Sequence, residues 1–124
     1  MRRPSFTVGI EEEYLVVDAG TGDLVRTPDP GFLKACEARA GERVTPEYLQ
    51  CQVEVGTRVH ESVGDAVQEL IALRAGLAAA AEGFGYRMIA ASTHPFARWR
   101  EQTHTRKRRY DDLRADLGRR CGGC

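Results

Sequence analysis

No run of apolar residues in this chain approaches the ~20 that a membrane-spanning helix requires, so no span is expected. The opening MRRPSFTV has two arginines but no apolar stretch behind them, so no signal peptide is expected and a cytoplasmic location is the default. Net charge is also missing. The 18 basic and 18 acidic residues cancel, which gives no ground for a nucleic-acid partner. There is no G-x-x-x-x-G-K-S/T loop to cradle phosphates, which excludes a P-loop enzyme. No Ser/His/Asp or Cys/His arrangement offers an activated nucleophile. Cysteines are few: Cys36 and Cys51 read as small core thiols, while Cys121 and Cys124 form a terminal CGGC. That pair has C-x-x-C spacing but no second ligand pair and no preceding strand–helix unit, which argues against a zinc or redox site. Internal repeats and low-complexity segments are absent too.

What is present fits one domain. The 124 residues suffice for a modest core, and 42% hydrophobic with 29% charged residues is ordinary for a globular chain. Residues 5–17 read as a strand, DAGTGD (18–23) as a turn, and LVRT as a short returning arm. A helix is expected from about Gly31 to Arg39, ended by Gly41. Residues 47–59 alternate apolar and polar and read as a second long strand. In the next segment Ser62 is a helix N-cap with Asp65 three residues on, and Gly83 closes the helix. Val63, Ala66, Val67, Leu70, Leu73, Leu77 and Ala81 form its apolar stripe. A third strand is expected over 86–93, ended by His94 and Pro95, and a last helix over 104–117.

The chemistry lies in acids placed inside strands. Side chains alternate faces along a strand, so Glu11 and Glu13 project together, roughly 7 Å apart from the ~3.3 Å rise per residue. Phe6, Val8, Ile10, Tyr14 and Val16 share the opposite face with Glu12, which is expected at the sheet margin or against an arginine. In the second strand Leu49, Cys51, Val53 and Val55 make an apolar face, and Gln50, Gln52, Glu54 and Gly56 a polar one. If the two strands share a sheet, Glu11, Glu13 and Glu54 converge. Carboxylates so placed repel one another, and a Mg²⁺ ion bridging them to nucleotide phosphates relieves that repulsion. An antiparallel sheet with one face in water alternates in the same way, and both readings stand at this point. The run from Arg98 to Arg109 is basic, with Glu101 its only acid; it suits either a phosphate or carboxylate ligand or a solvated helix start.

The ordered segments FTVGIEEEYLVVD, EYLQCQVEVGT, ASTHPFARWREQ and RRY resemble the N-terminal part of the bacterial carboxylate–amine ligases similar to glutamate–cysteine ligase (type 2). The resemblance covers nearly all of residues 5–117. It implies an ATP-dependent ligase that phosphorylates the side-chain carboxylate of glutamate and forms an amide with an amine, cysteine being the family's reference substrate. It implies Mg²⁺ and ATP on Glu11 and Glu13, with Glu47 and Glu54 as further metal or substrate acids. Glu47 and Glu54 are seven positions apart, so an unbroken strand would turn them to opposite faces unless a bulge near Pro46 intervenes. His94, in STHPF, would hold a ligand or position its loop, packing being the alternative. Arg109 and Tyr110 match the family's R-Y pair, an arginine there being suited to a bidentate grip on a carboxylate. Arg108 stands where the family often has an acid.

The implied fold is α+β: a largely antiparallel sheet packed by helices on one face, with an acid-bearing opposite face, as an incomplete glutamine-synthetase-like or glutamate–cysteine ligase fold. The domain reading is 1–118 as the N-terminal part of the catalytic domain and 119–124 as an aberrant or truncated tail. The family's proteins are much longer and contribute an H-x-H strand to the site. The isolated chain is therefore expected to have little activity, and its sheet edges to invite association, including homo-oligomers. A non-catalytic binding domain keeping the ligase fold is the alternative, as is a small domain whose acids are only solvated.

Overall fold

The computed structural model describes residues 5–121. Four strands form one antiparallel sheet in the order β2-β3-β1-β4: β1 Glu11–Asp18, β2 Val44–Pro46, β3 Gln52–Gly56 and β4 Tyr86–Ile89. Among the described residues three α-helices complete the α+β architecture: α1 Pro30–Ala40, α2 Val63–Glu82 and α3 Arg108–Cys121.

Local chemistry sets the boundaries. The turn after β1 is held by Asp18, whose Oδ1 accepts the N–H groups of Gly20 and Thr21, both at 2.8 Å. The arm returning from it makes only a single bridge, Leu24 to Val17. Asp29 caps α1 by accepting the Gly31 N–H at 2.7 Å, and Pro30 opens the helix. Gly41, at φ 60°, closes it in a conformation that a side chain would strain. Ser62 caps α2 by accepting the Asp65 N–H at 3.1 Å.

Both α1 and α2 pack on one face of the sheet. Tyr14, Val16, Val53 and Val55 meet Phe32 and Cys36 of α1 and Leu70, Leu73, Leu77, Ala80 and Ala81 of α2. Each large apolar side chain buried there contributes about 1.5–3 kcal/mol. Gly76 lets the two helices approach: a Cβ there would stand 3.4 Å from the Cβ of Arg39.

The boundaries expected from sequence shift in several places. The first strand begins at Glu11, not at residue 5, and Phe6 is 83% exposed. Val8 contributes only a bridge to His60. Of the strand expected over 47–59 only Gln52–Gly56 is strand, as β3; a turn precedes it, and β2 lies before the expected start. Pro46 is the last residue of β2 to pair, and the chain reverses through 47–51, with Gln52 N–H donating to the Leu49 carbonyl at 3.0 Å. Leu49 and Cys51 therefore leave the Val53–Val55 face and line a cavity with Leu15. The third strand stops at Ile89, and the last helix starts at Arg108 and runs past the end expected at residue 117; Cys124 lies outside the described residues. On α2, Val63 and Val67 turn outward and Ala80 turns inward.

The second face of the sheet is half covered. Tyr14 to Val17 are all buried because a segment running from Ser92 to Thr105 roofs Leu15. That segment is strapped to the 48–50 turn: Gln50 N–H donates to Thr103 O at 2.8 Å, and Thr105 N–H to Tyr48 O at 2.9 Å. The roof leaves Glu11 and Glu13 uncovered, both being exposed. Among the described residues, no helix is long and apolar enough to cross a membrane.

Candidate acid and metal site

Register brings the acids together. Glu13 of β1 stands directly opposite Glu54 of β3, and Thr45 of β2 lies opposite Glu54 on its other side. Glu47, the first residue past β2, also reaches this face. Glu13, Glu47 and Glu54 each present a carboxylate oxygen, and these three atoms lie within 4.8 Å of one another. The β2–β3 reversal is what returns Glu47 to this face; the unbroken strand expected from sequence would have turned it away.

Each carboxylate is held by a neutral donor. Gln52 Nε2–H donates to Glu13 Oε1 at 2.8 Å, and Thr45 Oγ1–H to Glu54 Oε1 at 3.2 Å. The Tyr48 backbone N–H donates to Glu47 Oε1 at 2.8 Å, and the Tyr110 hydroxyl reaches the same oxygen at 3.4 Å. Partial burial, and then the charges of Glu47 and Glu54, push the Glu13 carboxyl above its ordinary range. Tyr110 is also pushed up, first by desolvation and then by the charge of Glu47. Tyr48 packs edge-on against both Tyr110 and His104, with centroids at 5.4 and 4.7 Å. Lys107 lies with Nζ 5.4 Å from the Tyr110 ring centroid.

The other site residues named from sequence sit around this cluster. Glu11 shares the Glu13 face but lies two residues along β1, opposite Gly56, and is not one of the three clustered acids. Arg109 is exposed in the first turn of α3, next to Tyr110. His94 is buried, and both its ring nitrogens meet backbone. Nε2–H donates to the Gly22 carbonyl at 2.9 Å, and Nδ1 accepts the Phe96 N–H at 3.4 Å. This fastens the 92–96 loop to the turn after β1. Glu12 faces the helices, where Arg74 of α2 grips both its oxygens and the Tyr14 hydroxyl also donates to it. The Arg74 guanidinium holds the Glu12 carboxyl below its ordinary range, while burial, and then Glu12, push the Tyr14 hydroxyl up to about 12. Cys36 and Cys51 are fully buried free thiols, each raised by burial to about 11.

Sequence reasoning missed Gln52, Thr45 and Tyr48 as supports of the acids. Gln52 was legible as a polar-face residue of β3. Thr45 was not, because nothing local to VTP marks a third strand.

A profile of glutamate-cysteine ligase family 2 matches residues 7–120. Curated relatives carry the name "Putative glutamate--cysteine ligase 2". That of Jannaschia sp. (strain CCS1) is 53% identical over 113 residues, covering 91% of this chain and 30% of the relative. That of Rhodospirillum rubrum is 50% identical over 121 residues, covering 94% and 31%. That of Ruegeria pomeroyi is 48% identical, covering 91% and 29%. The chain thus spans about 30% of the length of these relatives.

Proposed function

This chain belongs to glutamate-cysteine ligase family 2, and from that premise we propose that it is the N-terminal portion of an ATP- and Mg²⁺-dependent carboxylate–amine ligase with a glutamate–cysteine ligase-like fold. The observation that carries the reading is the convergence of Glu13, Glu47 and Glu54. The donor set fits Mg²⁺: the ligands are hard carboxylate oxygens, and the surroundings are open enough for phosphates. Once bound, the cation neutralises phosphate charge at the attacking and leaving oxygens.

The chain's own residues then have separable tasks. Glu13, Glu47 and Glu54 hold the cation, with Glu11 extending the same face toward the nucleotide. Gln52, Thr45 and Tyr48 aim the carboxylates. Arg109 grips an anionic group of substrate or nucleotide, and Tyr110 supports Glu47. His94 keeps the loop beside the site in place. In the proposed reaction a substrate carboxylate oxygen takes the γ-phosphoryl group of ATP, releasing ADP. The amine nitrogen then attacks the acyl carbon, phosphate leaves, and an amide remains. Glutamate and cysteine are the substrates that the relatives' name suggests.

The test is calorimetric titration of Mg²⁺–ATP into the purified chain. Glu13→Gln and Glu54→Gln should each weaken binding at least about tenfold while circular dichroism stays unchanged, a loss of about 1.4 kcal/mol. Folded variants that bind as tightly as the parent chain would sink the reading.

A further inference from the structure

We propose that the cavity between the start of α1 and the β2–β3 reversal is a binding subsite for a primary amine with an apolar body and no carboxylate. Its volume is about 300 Å³, at the lower end of small-molecule sites. Pro28, Pro30, Pro46, Leu33 and Val53 make much of its wall apolar. Among the described residues that wall holds one formal charge, the carboxylate of Asp29, and no lysine, arginine or histidine.

The hydrogen-bonding groups of the wall select a donor. The hydroxyls of Thr27 and Thr105 already donate elsewhere, to Thr103 Oγ1 at 3.1 Å and to the Glu47 carbonyl at 2.6 Å. Gln50 Nε2–H donates to the His104 carbonyl at 3.0 Å, and Gln52 Nε2–H to Glu13 Oε1 at 2.8 Å. Neither amide can be turned end for end, because a carbonyl and an ionised carboxylate only accept. The Asp29 N–H is taken by the Tyr86 hydroxyl at 3.1 Å, and the prolines carry no N–H. What is left is chiefly oxygen: Oε1 of Gln50 and of Gln52, and the second oxygen of Asp29, whose Oδ1 accepts the Gly31 N–H.

Acceptors and one carboxylate call for N–H groups and positive charge, and the apolar surface calls for a hydrocarbon body. An ammonium beside Asp29, carried on such a body, meets both. An inorganic cation would leave the apolar wall unused. A carboxylate on the ligand would find no cation in the wall and would be repelled by Asp29. Lys107 lies outside the wall, with Nζ on the Pro46 carbonyl at 3.4 Å. The relatives' name suggests cysteine as the amine; this wall selects an amine without an amino acid's carboxylate. The cavity adjoins the acid cluster, since Gln52 donates to Glu13 and Thr105 to the Glu47 carbonyl. Only the amine's use as the attacking nucleophile rests on the proposed function; the cavity's preference does not.

The experiment titrates 3-methylbutylamine into the full chain, beside L-leucine, which is the same molecule with a carboxylate added. The amine should bind saturably and at least about tenfold more tightly than leucine. Asp29→Asn keeps an acceptor at the N-cap of α1, and it should weaken amine binding about threefold or more with circular dichroism unchanged. Absence of saturable amine binding overturns the proposal. So does leucine that binds equally well, or a folded Asp29→Asn that binds the amine as tightly as the parent chain. If Asp29→Asn fails to fold, the parent chain's preference for the amine over leucine decides. A parallel Mn²⁺ titration of the parent chain and Glu13→Gln separates the two readings. Amine binding by a chain that takes up no Mn²⁺ sinks the metal site and leaves the subsite standing. Mn²⁺ binding that Glu13→Gln abolishes, without amine binding, does the reverse.

Discussion

At the scale of single residues, two neighbours on β1 respond to pH in opposite ways. Glu12 is held below its ordinary range by Arg74, so it contributes stability above the unfolded carboxylate pKa and loses it as pH falls through the folded value. Glu13 is held above its ordinary range by burial and by Glu47 and Glu54. Its contribution is fully present below the unfolded pKa and is lost as pH rises through the folded value. Urea denaturation without divalent cations, repeated across pH 3–7, should therefore show Glu12→Gln removing part of the acid loss. Glu13→Gln should make the chain more stable at neutral pH. Glu13 is exposed, so solvent screening keeps that gain below about 1 kcal/mol. A Glu13→Gln variant less stable than the parent at pH 7 would contradict the repulsive cluster.

At the scale of elements, the helices stand on caps and on a few buried contacts. Ser62→Ala removes the acceptor at the start of α2 and should cost about 1 kcal/mol. Leu77, 1% exposed in the core between α2 and the sheet, should cost about 2–5 kcal/mol when cut to alanine. Gly41→Ala places a Cβ at φ 60°, ψ −140° with no steric neighbour to meet, so its cost is conformational alone, about 1–3 kcal/mol. Denaturant midpoints of the three variants check these values, and the order Leu77→Ala worst is the firmest expectation. Ser62, Gly41 and Gly83 were legible in sequence because capping is local and acts on atoms a few residues away; Asp29, the cap of α1, was not named from sequence. The β2–β3 hairpin was not legible, because Pro46 and the alternating run after it also suit a single strand.

At the scale of the whole molecule, a cation that binds only the folded chain must stabilise it. At a hundredfold excess over its dissociation constant the gain is about 2.7 kcal/mol. Scanning calorimetry with Mg²⁺ or Mn²⁺ should show an upward shift of several degrees that Glu54→Gln abolishes. A shift equal in the parent and Glu54→Gln would place the cation elsewhere. The chain's span of about 30% of its relatives makes this measurement more informative than turnover, because it reads the site in the chain as it exists.

The sequence by itself determined the element types, both helix caps of the long helix, the helix-facing core and the family. It did so because periodicity, capping and motif order are properties of neighbouring residues. It also put Glu11 and Glu13 on one face of the first strand and Glu54 on the polar face of its own, since alternation in a strand is local geometry. Only the tertiary structure decided which three acids meet. Glu47 joins Glu13 and Glu54 through a strand reversal and a cross-sheet register, and Glu11 stays apart. The same holds for the cavity beside Asp29: its wall joins the start of α1, the β2–β3 reversal and Thr105, and no pattern along the chain marks it.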